Sequence, residues 1–113
     1  MMMVNLTRDV VLANDVRRAA NPWSRLVGLL GRAALASGEG LHITPCSGVH
    51  TVFMRFPIDV LFLDQDGQVV RLATDVGPFR FVWGRRRAHS ALELPAGTVA
   101  VTRTEVGDHI ASR

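Results

Sequence analysis

The chain has 113 residues, of which 48% are hydrophobic and 20% are charged, so it is long enough for one globular domain and too apolar for a disordered segment. The formal net charge is +3, from 13 basic and 10 acidic residues, and every basic residue is an arginine. This small excess argues against a nucleic-acid partner. No apolar run approaches the roughly 20 residues that a membrane-spanning helix needs.

The cysteine count and the amino terminus bear on the cellular compartment. Cys46 is the single cysteine, which excludes an intrachain disulfide and fits a reducing environment. Arg8 and Asp9 interrupt the first apolar run after a few residues, and no basic segment precedes it. This pattern differs from a signal peptide. The sequence therefore predicts a cytoplasmic protein.

The first third of the chain predicts two short strands and one helix. Residues 3–16 contain compact apolar runs that are typical of strands. Asn21 and Pro22 form a favourable helix start, because asparagine is a good N-cap and proline fits the first helical position. Apolar residues then recur at helical spacing up to Gly31, which predicts a helix over residues 22–31.

The rest of the chain predicts strands separated by turns. Asp64 to Gly67 has the composition of a hairpin turn, and the aromatic residues at 79, 81 and 83 alternate in the manner of a half-buried strand. The predicted strands cover residues 41–43, 50–56, 58–63, 68–76, 79–83, 91–94 and 98–102. We therefore predict a single compact domain over residues 1–113, mainly β (α+β), with a mostly antiparallel sheet that can close into a barrel and one short helix near residues 22–31.

One segment carries a family resemblance. Residues 45–64 read PCSGVHTVFMRFPIDVLFLD, and the stretches at 25–32, 66–70, 92–97 and 107–108 add further spaced motifs. Together they closely resemble the family called domain of unknown function 192, over about residues 10–110. The resemblance implies a compact β-rich fold and implies no activity, because the family has no settled biochemical role. Many relatives look secreted, a feature that this amino terminus does not share.

Asp59 is the most informative single residue. It lies in the run Ile58 to Leu63, where both faces of a strand look apolar, and a buried carboxylate needs a partner. An ion pair and a carboxylate that caps main-chain amides are the two structural alternatives, and a pocket acid is the functional one. We expect Asp59 to hold an arginine or the imidazole of His50. Glu93 alternates with leucines, which favours a side chain that faces water.

Cys46 and His50 form a second candidate pair, because an imidazole near a thiol can stabilise the nucleophilic thiolate. The alternative is a small buried cysteine beside a hydrogen-bonded core histidine. A structural zinc site needs about four ligands, and the other histidines are scattered at positions 42, 89 and 109. We therefore predict neither a bound metal nor a cofactor.

Three functional hypotheses follow. The preferred one is a binding or accessory module for an unknown small molecule or protein partner, with a polar pocket around His50, Thr51 and Asp59. The candidate pocket residues are Arg25, Cys46, Ser47, His50, Thr51, Met54, Arg55, Asp59 and Glu93, with Met54 better explained as core. The second hypothesis is an enzyme that uses Cys46, His50 and Asp59. The third is weak nucleic-acid binding through residues 85–87, for which a solvated arginine loop is the simpler interpretation.

Overall fold

The computed structural model describes residues 1–19, 35–51 and 54–113, and the structural statements below refer to these residues. Within them the chain forms ten strands and one short helix. In chain order they are β1 (Met3–Asn5), β2 (Val10–Ala13), β3 (Asp15–Ala19), β4 (Glu39–Ile43), β5 (Gly48–His50), β6 (Ile58–Leu63), β7 (Val69–Val76), β8 (Phe81–Trp83), β9 (Ser90–Pro95), α1 (Thr98–Thr102) and β10 (Ile110–Ser112). The mainly β prediction is confirmed.

The strands form three sheets. The largest has the order β3-β4-β9-β6-β7, a second has the order β10-β1-β2, and β5 pairs with β8 in a separate two-stranded ribbon. All pairs are antiparallel except β3 with β4, which run parallel. None of these sheets closes into a barrel, so the barrel-like arrangement is not the one adopted. No helix in the described ranges is long and apolar enough to cross a membrane.

The five-stranded sheet is covered on both faces, which explains its continuous apolar sequences. Side chains alternate along β6, so Val60 and Phe62 join one core cluster while Leu61 and Leu63 join another. The first cluster includes Val49 of the β5–β8 ribbon, and we call that side the ribbon-side face. The second cluster includes Val99 of α1 and side chains of β1 and β2, and we call it the helix-side face.

Several element boundaries differ from the sequence-based predictions. Residues 98–102 form a helix where alternating Thr and Val predict a strand, because Gly97 adopts a left-handed φ of 96° and the chain turns sharply there. The strand predicted over residues 50–56 ends at His50. The turn at Asp64 to Gly67 is confirmed, with Gly67 at a φ of 86°. The helix predicted over residues 22–31, and Arg25 with it, lies outside the described residues.

The two ends of the chain are joined by a buried polar network around Asp108. Its Oδ2 accepts hydrogen bonds from the Asn5 side-chain amide at 2.9 Å, Arg8 Nε at 2.7 Å and the Glu105 main-chain N–H at 3.0 Å. Burial of Asp108 opposes its ionisation, but these hydrogen bonds outweigh it and hold the pKa of this carboxyl below its ordinary value. The glycine-aspartate motif near the carboxyl end therefore has a structural role.

Replacing Asp108 with Asn is expected to remove an acid-sensitive part of the stability. Because the pKa of Asp108 is lower in the folded than in the unfolded chain, its contribution is complete above the ordinary value of 3.8 and is lost as the pH falls through the folded value. We expect the variant to lose about 1–2 kcal/mol near neutral pH. In urea titrations from neutral pH to about pH 2.5, wild-type stability should decline more steeply than that of the variant. Parallel declines would contradict this role.

Candidate functional site

The Asp59 carboxylate is almost completely buried, with 1% of the residue exposed, on the helix-side face of β6. Its oxygens accept main-chain N–H bonds from Asp75 at 2.9 Å, Gly97 at 3.1 Å and Val99 at 2.9 Å. Of the two structural alternatives, the capping of main-chain amides is the one observed. The expectation that Asp59 holds an arginine or the imidazole of His50 is wrong for the described residues, because main-chain amides already occupy its oxygens. The carboxylate joins β7, the turn after β9 and the start of α1 to β6.

Thr51 is also engaged in structure. It is fully buried directly after β5, where its hydroxyl donates to the Gly77 carbonyl at 2.7 Å and accepts the Arg80 main-chain N–H at 2.8 Å. Its own main-chain N–H donates to the Arg80 carbonyl at 2.8 Å. The predicted pocket includes Thr51, but its hydroxyl is engaged within the chain and fixes the bend that leads into β8.

Glu93 is fully buried, so the prediction that it faces water is wrong. It lies on β9 between β4 and β6, opposite Leu41 and Val60, and therefore projects from the ribbon-side face. Asp59 is opposite Leu94 and projects from the other face. The sheet thus separates the two carboxylates that the predicted pocket had combined. The alternation of Glu93 with leucines predicted that this side chain faces water. Distant parts of the chain cover both faces of this central strand, and a local pattern does not report that covering.

The thiol candidate has a local hydrogen bond. Cys46 is half-buried in the loop before β5, and its S–H donates to the carbonyl of Gly48 at 3.0 Å. The S–H form is the donor in this hydrogen bond, whereas the thiolate is the nucleophile. Ser47 and Arg55 are exposed, and Met54 is buried in the ribbon-side core, as expected for a core residue.

The histidines do not assemble a metal centre. The described ranges contain no group of three or more His, Cys, Asp or Glu side chains placed to hold a metal ion. His42 lines a cavity of about 180 Å³ between the two larger sheets, together with Arg18 and His89. Burial, followed by the charges of Arg18 and His89, lowers the pKa of His42. Its imidazole is therefore uncharged at neutral pH.

The outer face of the β5–β8 ribbon carries exposed aromatic side chains that the sequence did not predict. Val82 is opposite Val49 and packs inward, whereas Phe81 and Trp83 project outward with 75% and 56% of their surface exposed. The alternation of residues 79–83 correctly predicts a strand with two different faces. The face packed against the core carries Val82, and the aromatic residues lie on the other face. His50 lies opposite Phe81 and shares the outer face.

Arginines flank β8 along the chain. Arg80 immediately precedes β8, and the exposed loop after it carries residues 85–87. The guanidinium of Arg71 donates to the main-chain carbonyl of Trp83, which holds one more cation at the end of β8. The loop borders a cavity of about 450 Å³ whose other walls come from residues 68–70 and 106–107, and neither Phe81 nor Trp83 lines it. We call this combination of Phe81, Trp83, Arg80 and residues 85–87 the ribbon surface.

Comparisons with known proteins agree on the family and the fold. The family model DUF192, described as uncharacterized ACR, matches residues 3–112. A UPF0127 protein of Pyrococcus furiosus is 35% identical over 111 residues, covering 96% of this chain and 95% of its own. A UPF0127 protein of Pyrococcus horikoshii is 32% identical over 112 residues, covering 96% of each chain.

Two crystal structures share the fold. A protein of unknown function from Novosphingobium aromaticivorans superposes with a TM-score of 0.83 at 19% identity, covering 98% of this chain and 83% of its own. A protein from Sinorhizobium meliloti superposes with a TM-score of 0.81 at 22% identity, covering 97% and 89%. At these identities the likeness concerns the fold alone.

Proposed function

This chain belongs to the DUF192 family of uncharacterised proteins, and we propose that it is a binding module that receives an anionic partner on the ribbon surface. The observation that carries the proposal is the exposure of Phe81 and Trp83, at 75% and 56%, on one face of a paired strand. Large aromatic side chains that project together into solvent are typical of binding surfaces, because leaving them exposed forgoes the stabilisation of burial.

The charge of the surface supports an anionic partner. Residues 79–87 contain four arginines and three aromatic residues but no aspartate or glutamate. The only acid within 4 Å of these guanidinium groups in the described ranges is Asp64, which lies 3.6 Å from Arg87. The remaining charges are therefore available to a partner of opposite sign.

Two other proposals are weaker. One is a polar pocket at Asp59 and Thr51, and the other is a thiol mechanism at Cys46. The hydrogen bonds of Asp59 and Thr51 join main-chain segments of the domain itself. The thiol of Cys46 donates to a carbonyl, which favours its less reactive form. The binding role therefore moves from the predicted pocket to the ribbon. Of the predicted pocket residues that the structure describes, His50 is the one that strand pairing places on the outer face.

Chromatography on immobilised heparin, a generic polyanion, tests the proposal. The variant Arg85→Gln/Arg86→Gln/Arg87→Gln should elute at lower salt than the wild type, because three guanidinium groups no longer release counterions. The matched control is Arg17→Gln/Arg103→Gln/Arg113→Gln, which removes the same charge from exposed positions elsewhere. Co-elution of the two variants would mean that retention reflects net charge alone and would overturn the proposal. A wild type that is not retained would do the same.

A further inference from the structure

We infer that the anionic partner of the ribbon surface is a single-stranded nucleic acid, whose bases stack on Phe81 and Trp83 while its phosphates meet the surrounding arginines. The inference rests on the proposed function, since it names the partner class of the same surface. The sequence alone argued against a nucleic-acid partner, because the net charge is small and a solvated loop is the simpler interpretation of residues 85–87. The exposure of the rings is the new observation.

The spacing of the two rings suits consecutive bases. Phe81 and Trp83 are two residues apart on one strand face, which separates their Cβ atoms by roughly 6.6 Å along the strand. This is about twice the 3.4 Å repeat of a stacked nucleic-acid strand. A single strand can extend to such a spacing and present its base faces, whereas a duplex keeps those faces stacked against each other. The two rings therefore favour a single strand.

The backbone beneath the rings leaves them accessible. Gly48 is the partner of Trp83 across the ribbon, and a Cβ added at Gly48 would lie 3.5 Å from Cζ of Phe81. The phenyl ring thus occupies the space over a residue that has no side chain. It remains 75% exposed in this position, so that a base has access to it. A larger residue at position 48 would compete with the ring for the same space.

Arginines flank the two rings along the chain. Arg80 lies one residue before Phe81, and the loop that follows Trp83 contributes residues 85–87. Neither Arg80, Arg85 nor Arg86 forms an ion pair with any residue in the described part of the chain. A guanidinium can contact phosphate through two parallel hydrogen bonds and can also stack on a base. Charge complementarity and stacking therefore act on the same ligand.

An acidic peptide is the main competing partner, since it would also satisfy the arginines. Its carboxylates offer no flat apolar face to Phe81 and Trp83, so its binding would depend little on the rings. Heparin is likewise a polyanion without bases. The dependence of binding on the two rings therefore separates a nucleic acid from other polyanions.

Fluorescence anisotropy with labelled oligonucleotides tests the inference. The probes are oligo(dT) and oligo(U) of about 12 nucleotides, within the usual site size of single-strand binding folds, and a DNA duplex of equal length. The full chain should bind at least one single strand about tenfold or more tightly than the duplex, and the relative affinity of the two single strands identifies RNA or DNA. Phe81→Ala/Trp83→Ala should weaken single-strand binding by about tenfold per ring.

Control measurements distinguish a failure of the single-strand inference from a failure of the proposed anion-binding function. The exposed valine substitution Val101→Ala removes apolar surface away from the ribbon and should leave binding unchanged. If Phe81→Ala/Trp83→Ala does not fold, the preference of the wild type for a single strand over the duplex decides alone. Equal binding of single strand, duplex and polyglutamate would overturn the inference while the heparin result still supports an anion-binding surface. Single-strand binding that survives loss of both rings would also overturn it.

Discussion

Asp59→Asn should destabilise the protein by about 3 kcal/mol, a large part of the stability of a domain of this size. The carboxylate accepts three main-chain N–H groups, one on Oδ1 and two on Oδ2. Asparagine keeps one oxygen and replaces the other with an NH₂ group. In either orientation a buried donor then faces another donor, which leaves main-chain amides without an acceptor.

Asp75→Asn is the matched control for this prediction. The same chemical change occurs in an exposed side chain on β7, at a residue whose main-chain N–H is one of the three donors to Asp59. Its φ of 51° suits asparagine as well as aspartate, so stability should change by no more than about 0.5 kcal/mol. Equilibrium unfolding in urea compares the two. If Asp59→Asn is as stable as Asp75→Asn, the carboxylate does not hold these three segments together.

Gly84→Ala should cost about 3 kcal/mol or more, through steric overlap. A Cβ at Gly84 would lie 2.3 Å from Cδ1 of Phe62 and 2.7 Å from Cβ of Ala88. Phe62 is completely buried in the ribbon-side core, so its ring can move aside only by displacing the side chains packed around it. The main-chain N–H of Gly84 also donates to the carbonyl of Ser47 at 2.7 Å, so a shift of the backbone would break the link between β8 and the loop before β5.

Gly77→Ala separates this steric effect from the general effect of replacing glycine. A Cβ at Gly77 meets no atom of the described residues within 4 Å, so the substitution should be neutral or stabilise by up to about 1 kcal/mol by restricting the unfolded chain. The free energy of unfolding of both variants, measured in urea, gives the comparison. Similar values for the two variants would show that the close approach of Gly84 to Phe62 can relax without cost.

The positions of the strands were better predicted from the sequence than the contacts that their side chains make. The apolar run of β6 and the turn that follows it are local patterns, so both were predictable. Asp59 was predicted to be buried with a partner, but its donors come from residues 16 to 40 positions away along the chain. No local pattern encodes such distant main-chain contacts. The sequence could therefore identify the need for a partner and could not identify the partner.

The errors at Glu93 and on β8 have a common cause. Alternation reports that a strand has two different faces, but it does not report what covers each face. On β9 both faces are covered, so Glu93 is buried despite its charge. On β8 the inward face is the one that carries Val82, because Val49 across the ribbon faces the core. For this reason the sequence did not predict the exposure of Phe81 and Trp83, on which the proposed function rests.

The pairing of β1 with β10 has a consequence for the rate of folding. Met3 pairs with Ser112, and the main chains of Met2 and Arg113 exchange hydrogen bonds at 2.8 and 3.1 Å. Such contacts join segments separated by nearly the whole length of the sequence, and closing so long a loop carries a large entropy cost. Hairpins such as β6–β7 require far shorter loops, so they can form early while the terminal pairing completes late. A high contact order of this kind places the domain among slow folders for its length.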